Sequence, residues 1–226
     1  MSAETRAALE TIARGNGAVL FGVADLRGIN LEETSAAGAE ALLAGFSTGI
    51  AFGCRLNDIV IDGVADHPTR TYQYHYRQVN LLLDHIGLLI ASHLDQLGCR
   101  TFPVPASQIL DWKAYRGHIS HKAVARLAGL GWIGRSNLLV NPRYGARVRY
   151  CTVLTDLVLP RDRPLESDCG GCRRCVAACP GGAIADDPAS FDLARCVETI
   201  DLVRQKENIG SRICGICVRA CPGPRK

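Results

Sequence analysis

The sequence is poor in the features that mark membrane and secreted proteins. It has one methionine, 6% aromatic residues and a formal net charge of +4 over 226 residues. No apolar run approaches the roughly 18 residues of a membrane-spanning helix, because the nearest, 79–97, contains asparagine, aspartate and histidine. The first residues, MSAETRAALE, lack the basic and apolar regions of a secretory signal. We therefore expect a cytoplasmic protein with no membrane partner.

Cysteine, in contrast, is abundant, and eight of the 11 cysteines follow a regular spacing. One run, C-x2-C-x2-C-x3-C-P, ends at Cys179, and a second, C-x2-C-x3-C-P, ends at Cys221. Bacterial two-cluster ferredoxins hold two [4Fe–4S] clusters with this spacing, and the fourth cysteine of each run ligates the other cluster. The second run is one cysteine short, and we assign the isolated Cys196 to the missing place.

The spacing therefore predicts two clusters with four ligands each. The first thiol set consists of Cys169, Cys172, Cys175 and Cys221. The second thiol set consists of Cys179, Cys196, Cys214 and Cys217. Zinc also binds C-x2-C pairs, but it does not require a third cysteine at the same interval followed by a fourth and a proline. A disulfide framework is typical of small secreted chains instead.

The other three cysteines, Cys54, Cys99 and Cys151, stand among apolar residues, and we expect them to be small buried side chains. Eleven cysteines beside one methionine fit a reducing, anaerobic setting.

The periodicity of the first 160 residues predicts a mixed α/β (α+β) fold. Apolar residues at spacings of three and four predict a long helix over 72–97, and shorter helices are predicted over 2–15, 36–43 and 120–127. Strands are predicted over 18–24, 49–56, 100–104, 137–140 and 147–159, whereas 58–65 fits either a strand or a helix. We therefore divide the chain into an α/β domain, 1–160, and a ferredoxin-like domain, 161–226.

A glycine-rich turn, Gly129-x-Gly131-x-x-Gly134, matches the dinucleotide-binding fingerprint. That fingerprint needs a strand before the glycines and a helix after them, whereas here a helix precedes and Asn141-Pro142 follows. The turn is therefore expected to let the backbone approach a large flat ligand or the cluster domain.

Two further features each have two interpretations. His118 and His121 are three residues apart and fit metal ligands or proton donors on one helix face, or simply two partly exposed polar side chains. The stretch 203–226 is basic and fits either a solvated face or a docking patch for an acidic electron donor such as flavodoxin or ferredoxin. Its basic residues are Arg204, Lys206, Arg212, Arg219, Arg225 and Lys226.

The motifs together resemble those of the epoxyqueuosine reductases and, more distantly, the reductive dehalogenases. The resemblance is carried by AGLGWIGRSNLLVNPRYG from Ala128, by TDLVL, and by the cysteine segments CGGCRRCVAACPGGAI, FDLARC and CGICVRACP. It implies a nitroreductase-like cobalamin-binding domain followed by a ferredoxin-like module with two [4Fe–4S] clusters. Electrons would pass through the clusters to a base-off cobalamin, which reduces a small substrate. The implied cobalamin contacts are Gly129, Gly131, Trp132, Gly134 and Ser136.

Two departures from that family limit the expected chemistry. Counting back from AGLGW, the epoxyqueuosine reductases place a catalytic aspartate where this chain has Tyr115, a residue type that resembles the proton donor of reductive dehalogenases. We therefore take Tyr115, His118 and His121 as candidate proton donors, with Arg116 or Lys122 as the cation beside the tyrosine. The chain also ends five residues after Cys221 without the repeat extension that contacts tRNA, so tRNA is expected to be an unlikely partner.

At the level of sequence, two functions are favoured over a third, a cluster protein whose front domain binds flavin or nothing. The first is a cobalamin- and [4Fe–4S]-dependent reductase with a substrate of its own. The second is an electron-transfer or corrinoid-reducing partner protein without one.

Overall fold

A computed structural model describes residues 2–223 as two compact units. The first unit comprises the residues up to Cys54, then Asn80–Leu130 and Arg149–Leu165. The second comprises Arg55–Val79, Gly131–Val148 and the residues from Glu166 onward. Each unit is thus built from separate stretches of the chain. The assignment of 1–160 and 161–226 to a corrinoid-binding and a ferredoxin-like domain stays a prediction.

Helices and strands are interspersed along the chain up to Thr155, and only helices follow among the described residues. The helices are α1 (Ser2–Gly15), α2 (Leu31–Thr34), α3 (Glu40–Leu43), α4 (Asp58–Asp62), α5 (Arg70–Gln96), α6 (His121–Leu127), α7 (Arg174–Ala178), α8 (Leu193–Lys206) and α9 (Ile216–Arg219), with a 3₁₀ turn at Pro188–Ser190. The strands are β1 (Leu20–Asp25), β2 (Thr48–Arg55), β3 (Thr101–Val104), β4 (Trp132–Ile133), β5 (Leu139–Val140) and β6 (Val148–Thr155). The predicted mixed α/β fold is confirmed.

A four-stranded sheet forms the core of the first unit, in the order β1-β2-β6-β3. Strands β1 and β2 pair antiparallel, as do β3 and β6. Every residue of β2 except the last is buried, so both faces of this strand must be covered by other elements.

Helices α5 and α6 provide that cover. A Cβ atom at Gly87 of α5 would lie 3.8 Å from the Phe52 ring, and one at Gly49 would lie 2.6 Å from Val124 of α6. Phe52 and Gly49 are three residues apart on one strand, so the Phe52 side chain and a Cβ atom at position 49 point to opposite faces of the sheet. Helix α5 therefore packs on one face and α6 on the other. Glycine at position 49 is what allows α6 to approach so closely.

Most predicted elements are found within a few residues of their predicted bounds, and the differences have local causes. The ambiguous segment 58–65 begins as helix α4, because the side chain of Asn57 caps it by accepting hydrogen bonds from the backbone nitrogens of Ile59 and Val60. The predicted helix 36–43 is shorter, since α3 starts only at Glu40, and Ala39 before it provides no side-chain cap. The predicted strand 147–159 ends at Thr155. Among residues 2–223, no helix is both long and apolar enough to cross a membrane.

Candidate functional site

The cysteines predicted to bind clusters all lie in the second unit, and all are free thiols. Cys175 lies in α7, Cys196 in α8 and Cys217 in α9, whereas the others lie in the turns and loops beside these helices. The turn before α9 depends on Gly215, which has φ +86°, because a Cβ atom there would lie 2.5 Å from the Tyr72 ring.

Most of the electrostatic interactions between the thiols run within one of the two predicted sets, and one links the sets through Cys175 and Cys217. Burial, followed by the negative charges of Cys221 and Cys169, raises the pKa of Cys175. Burial likewise raises the pKa of Cys221, and the charges of Cys169 and Cys172 add to the effect. Cys169, Cys172, Cys175 and Cys221 therefore lie near one another, as the first thiol set requires.

The second thiol set is linked in the same way. Burial raises the pKa of Cys217 above its usual range, and the neighbouring thiols of Cys214, Cys196 and Cys179 add to the rise. Burial raises the pKa of Cys214 as well, with a further contribution from Cys179. Cys175 of the first set also acts on Cys217, so the two sets approach each other at these two residues.

The donor chemistry of these eight residues fits iron–sulfur clusters, because thiolate sulfur is the usual protein ligand of [4Fe–4S] iron. In the part of the chain that the structure describes, no three histidine, cysteine or acidic side chains stand close enough to hold a single metal ion. The two thiol sets are thus assigned from the electrostatic interactions between cysteines, and not from the geometry of a metal site.

The hairpin of β4 and β5 supports the first cysteine loop. In this hairpin Trp132 pairs with Val140. The indole Nε1 of Trp132 lies 3.5 Å from Sγ of Cys169. Arg135 donates hydrogen bonds to the carbonyl oxygens of Gly170, at 2.9 Å, and Cys172, at 3.0 Å. Arg135 also helps to lower the pKa of Cys172, after the larger effect of hydrogen bonds from Arg174.

A second support holds the turn that ends at Cys221. The backbone nitrogen of Ala146 donates to the carbonyl oxygen of Cys221 at 2.9 Å, and Gly145 packs directly against that carbonyl group. The side chain of Arg147 is 2% exposed and forms ion pairs with Asp58 at 2.9 Å and Asp62 at 2.6 Å. It also donates to the carbonyl oxygen of Arg219 at the end of α9. This role of Arg147 could not be predicted from the sequence, because an isolated arginine does not reveal its partners.

The predicted cobalamin contacts are packed against other parts of the protein. A Cβ atom at Gly129 would lie 2.5 Å from the carbonyl oxygen of Arg163, and one at Gly134 would lie 3.3 Å from Sγ of Cys169. Gly131 is in contact with the carbonyl group of Val140 in the same way, and Ser136 is buried. The three glycines therefore permit close packing within each unit and do not form an open cradle. By themselves they do not fit a corrinoid, and the cobalamin contacts stay a prediction.

The three candidate proton donors lie in the first unit in different surroundings. Tyr115 stands in the tight loop between Asp111 and Arg116 with φ +54°, a conformation that costs a tyrosine about 1–2 kcal/mol. The ring of Trp112 contacts that of Tyr115 edge-on. His118 packs edge-on against Phe102, and its Nδ1 is buried with no hydrogen-bond partner among the described residues. These roles stay predictions.

His121 is held in one tautomer. Its Nε2 lies 3.1 Å from the carbonyl oxygen of Pro105, which can only accept, so Nε2 carries the ring proton. Its Nδ1 therefore accepts from the hydroxyl of Thr152 at 3.0 Å. The pKa of His121 is lowered to about 4, mainly by burial; the hydrogen bond to Pro105 opposes the shift, and the charge of Arg149 contributes to it. The ring is thus neutral at physiological pH.

The basic stretch 203–226 is partly neutralised by its own unit. Arg212 and Arg204 lie 3.0 and 3.7 Å from Asp201, and Lys206 lies 4.0 Å from Glu207. Arg225 and Lys226 lie outside the described residues. The pairing favours a solvated face over a docking patch.

Comparison with known proteins confirms the resemblance found in the sequence. The chain is 32% identical over 184 residues to the epoxyqueuosine reductase of Salmonella typhimurium strain LT2, covering 77% of this chain and 44% of that protein. It is 34% identical over 152 residues to the epoxyqueuosine reductase of Escherichia coli K12, covering 63% of this chain and 37% of that protein. The chain spans less than half the length of these relatives. No known family model matches it.

Solved structures agree with these relatives in fold. A variant of the catabolic reductive dehalogenase NpRdhA has a TM-score of 0.74 at 17% identity, over 98% of this chain and 32% of that one. An epoxyqueuosine reductase bound to an epoxyqueuosine-modified tRNA-Tyr stem loop has a TM-score of 0.67 at 21% identity, over 97% of this chain and 65% of that one. The chain thus has a mixed α/β fold similar to both kinds of enzyme, and the relatives support a reductase role.

The expectation that tRNA is an unlikely partner was wrong. It depended on the missing repeat extension, yet the curated relatives are epoxyqueuosine reductases and a structure with the same fold holds a modified tRNA stem loop. The fold of that structure matches 97% of this chain.

Proposed function

We propose that this chain is an iron–sulfur oxidoreductase that passes low-potential electrons through two [4Fe–4S] clusters to a substrate. The observation that supports it is that all eight free thiols of the two-cluster spacing lie in the second unit, where most of their electrostatic interactions run within one predicted set. Such clusters, when bound, accept and release single electrons at low potential. The chain's own contribution is to hold the thiols, with the β4–β5 hairpin and Arg147 as supports.

The contact between the two sets supports a route from one cluster to the other. Cys175 belongs to the first set and Cys217 to the second, and each lies on a short helix of the same unit. Electrons that enter at either set can therefore reach the other without leaving the second unit.

The proposed substrate class follows from the relatives. Removal of an epoxide oxygen as water takes two electrons and two protons, so a chain of this type must supply both. We propose epoxyqueuosine in tRNA as the first substrate to test, with a small molecule as the alternative. Of the three candidate proton donors, only Tyr115 has a positive φ. Strained backbone of this kind is concentrated at functional sites, which favours Tyr115 as the donor.

Metal analysis of anaerobically purified protein tests the cluster proposal. Two [4Fe–4S] clusters predict about eight irons per chain and, on reduction, the EPR signals of interacting cubanes. The predicted cobalamin adds one cobalt per chain, or a spectral shift when cob(II)alamin is supplied. Protein purified without oxygen that contains no iron, and that takes up none on reconstitution, contradicts the proposal.

The second candidate function is an electron-transfer or corrinoid-reducing partner without its own substrate. The state of His121 favours it, because this ring is neutral and both its nitrogens are engaged by Pro105 and Thr152. Reduced, iron-loaded protein mixed with an epoxyqueuosine-containing stem loop separates the two functions. Loss of the epoxide over several turnovers supports the reductase, whereas reduction of added cobalamin without any change in the RNA supports the partner protein.

A further inference from the structure

Trp132 is fixed beside a cluster cysteine by the backbone around it. Its strand pairs with β5 through Trp132–Val140 and Ile133–Leu139. On one side, Gly131 leaves no space between its backbone and the carbonyl group of Val140. On the other, Gly134 approaches so closely that a Cβ atom there would lie 3.3 Å from Sγ of Cys169. The backbone from which the indole projects is therefore fixed by the hairpin.

The cysteine loop is fixed from its own side as well. Arg135 follows the same hairpin strand and holds the carbonyl oxygens of Gly170 and Cys172 with two hydrogen bonds. A guanidinium group that binds two carbonyl oxygens constrains both the distance and the orientation of the loop. The hydrogen bonds of Arg135 thus join the segment of Trp132 to the segment of Cys169, close to the contact between these two residues.

The contact itself is a hydrogen bond to sulfur. Indole nitrogen can only donate, and Nε1 lies 3.5 Å from Sγ of Cys169. Hydrogen bonds to the sulfurs of an iron–sulfur cluster are among the factors that set its reduction potential. Reduction adds one negative charge to the cluster and its thiolates, and a donor is bound more strongly by the more negative state. The hydrogen bond therefore favours the reduced cluster.

We propose that Trp132 raises the reduction potential of the cluster held by the first thiol set, by donating its indole N–H to the Cys169 thiolate. This role rests on the proposed cluster function and differs from the cobalamin contact that the resemblance implied. It makes Trp132 a positioning residue of the electron path, acting through Cys169 and not on the substrate. The cluster held by the second thiol set is not expected to respond to Trp132.

The chain offers a matched control, since it has two tryptophans and Trp112 lies in the first unit. We expect Trp132→Phe to lower the potential of one cluster and leave the other unchanged in an EPR-monitored redox titration. At a fixed potential the ratio of reduced to oxidised cluster should fall about threefold to tenfold, where tenfold corresponds to about 59 mV for one electron. Trp112→Phe should leave both potentials unchanged.

A second variant separates the hydrogen bond from packing. In the Trp112→Phe background, the remaining tryptophan is replaced by β-(3-benzothienyl)alanine, which keeps the bicyclic shape and puts sulfur in place of the N–H group. The same lowering is expected with this analogue, at unchanged iron content. An unchanged potential in the iron-loaded analogue protein overturns the proposal, even if Trp132→Phe shifts it or loses the cluster. Iron content of the unaltered protein decides the cluster proposal separately.

Discussion

Cys221 is held from outside its own run of cysteines, by Ala146 and Gly145. Its electrostatic neighbours are Cys169 and Cys172 and not the nearer residues of its own run. This pairing was predicted from the spacing alone, because the crossing of the last cysteine is a property of the two-cluster motif. The supports on Ala146 and Gly145 could not be predicted, since neither residue has a side chain that marks a contact.

We expect Cys221→Ala to remove iron mainly from the cluster of the first thiol set. The iron content of anaerobically purified protein should fall from about eight to about four per chain. EPR should still show the cluster of the second set. Cys99→Ala is the matched control and should keep all its iron, because Cys99 lies in the first unit. Selective loss of the second cluster would contradict the assignment.

The neutral state of His121 makes the stability of the first unit depend on pH. Its pKa is about 4 in the folded protein and about 6.5 in an unfolded chain. Well above pH 6.5 the His121 ring is neutral in both the folded and the unfolded protein. Between about pH 6.5 and 4 the ring binds a proton in the unfolded protein but not in the folded one, so the free energy of unfolding falls as the pH drops.

The measurement is urea unfolding of the unaltered protein and of His121→Gln at pH 7 and pH 5. Glutamine can also donate to Pro105 but does not titrate. The difference in midpoint between the two proteins should therefore change with pH, whereas effects of the clusters are common to both and cancel. A constant difference would show that His121 is not the titrating group.

At the level of elements, the loop between Asp111 and Arg116 is built around a tyrosine in a glycine-like conformation. The carboxylate of Asp111 accepts hydrogen bonds from the backbone nitrogens of Lys113 and Ala114, and these bonds hold the pKa of that carboxyl below its usual value. The loop is thus closed by Asp111, and the strain falls on Tyr115 at φ +54°. Residues with a strained backbone conformation of this kind are concentrated at functional sites.

Replacing the tyrosine should therefore separate stability from function. Tyr115→Gly should raise the free energy of unfolding by about 1 kcal/mol, because glycine adopts this conformation without strain. Tyr115→Phe keeps the strain and should leave stability nearly unchanged. If the hydroxyl donates the proton, both variants lose turnover to a similar extent while their iron content stays the same. Full turnover in Tyr115→Phe would exclude the hydroxyl.

Arg147 connects helices α4 and α9 through partly buried hydrogen bonds. Arg147→Met should lower the free energy of unfolding by about 1–3 kcal/mol, less than a fully buried pair because Asp58 and Asp62 are half exposed. Since the Arg219 carbonyl loses its donor, α9 should loosen and iron should be lost faster to a chelator. The control is Arg14→Met, which breaks an exposed pair with Glu10 and should change stability by less than about 0.5 kcal/mol. Equal effects in both variants would contradict a special role for Arg147.

At the scale of the whole molecule, the sequence predicted what is local and missed what is distant. The long helix α5 and the cysteine spacing are repeated patterns within one stretch; the helix is confirmed, and the cluster ligands stay a prediction. The supports of the cysteine loops come from residues far away in sequence. The bond of Trp132 to Cys169 and the pairing of Arg147 with Asp58 leave no periodic trace, so only the structure reveals them.

A fragment that starts at residue 161 therefore should not reproduce the second unit. It has all eight cluster cysteines but lacks Trp132, Arg135 and Arg147. We expect such a fragment to lose iron to a chelator at least about tenfold faster than the full chain, because structural metal sites and the fold that holds them are formed together. A fragment that retains its clusters as long as the full chain would show that 161–226 is an independent domain.

The discontinuous second unit also fixes the order in which the protein is assembled. The last stretch of the first unit, Arg149–Leu165, is synthesised before Cys169. All four strands of the sheet in the first unit therefore precede the first cluster cysteine in the chain. Neither thiol set is complete until its last member near the end of the sequence has been added, Cys217 for one and Cys221 for the other. On the proposed cluster assignment, iron and sulfide can fill both sets only after every strand of the first unit's sheet has been synthesised.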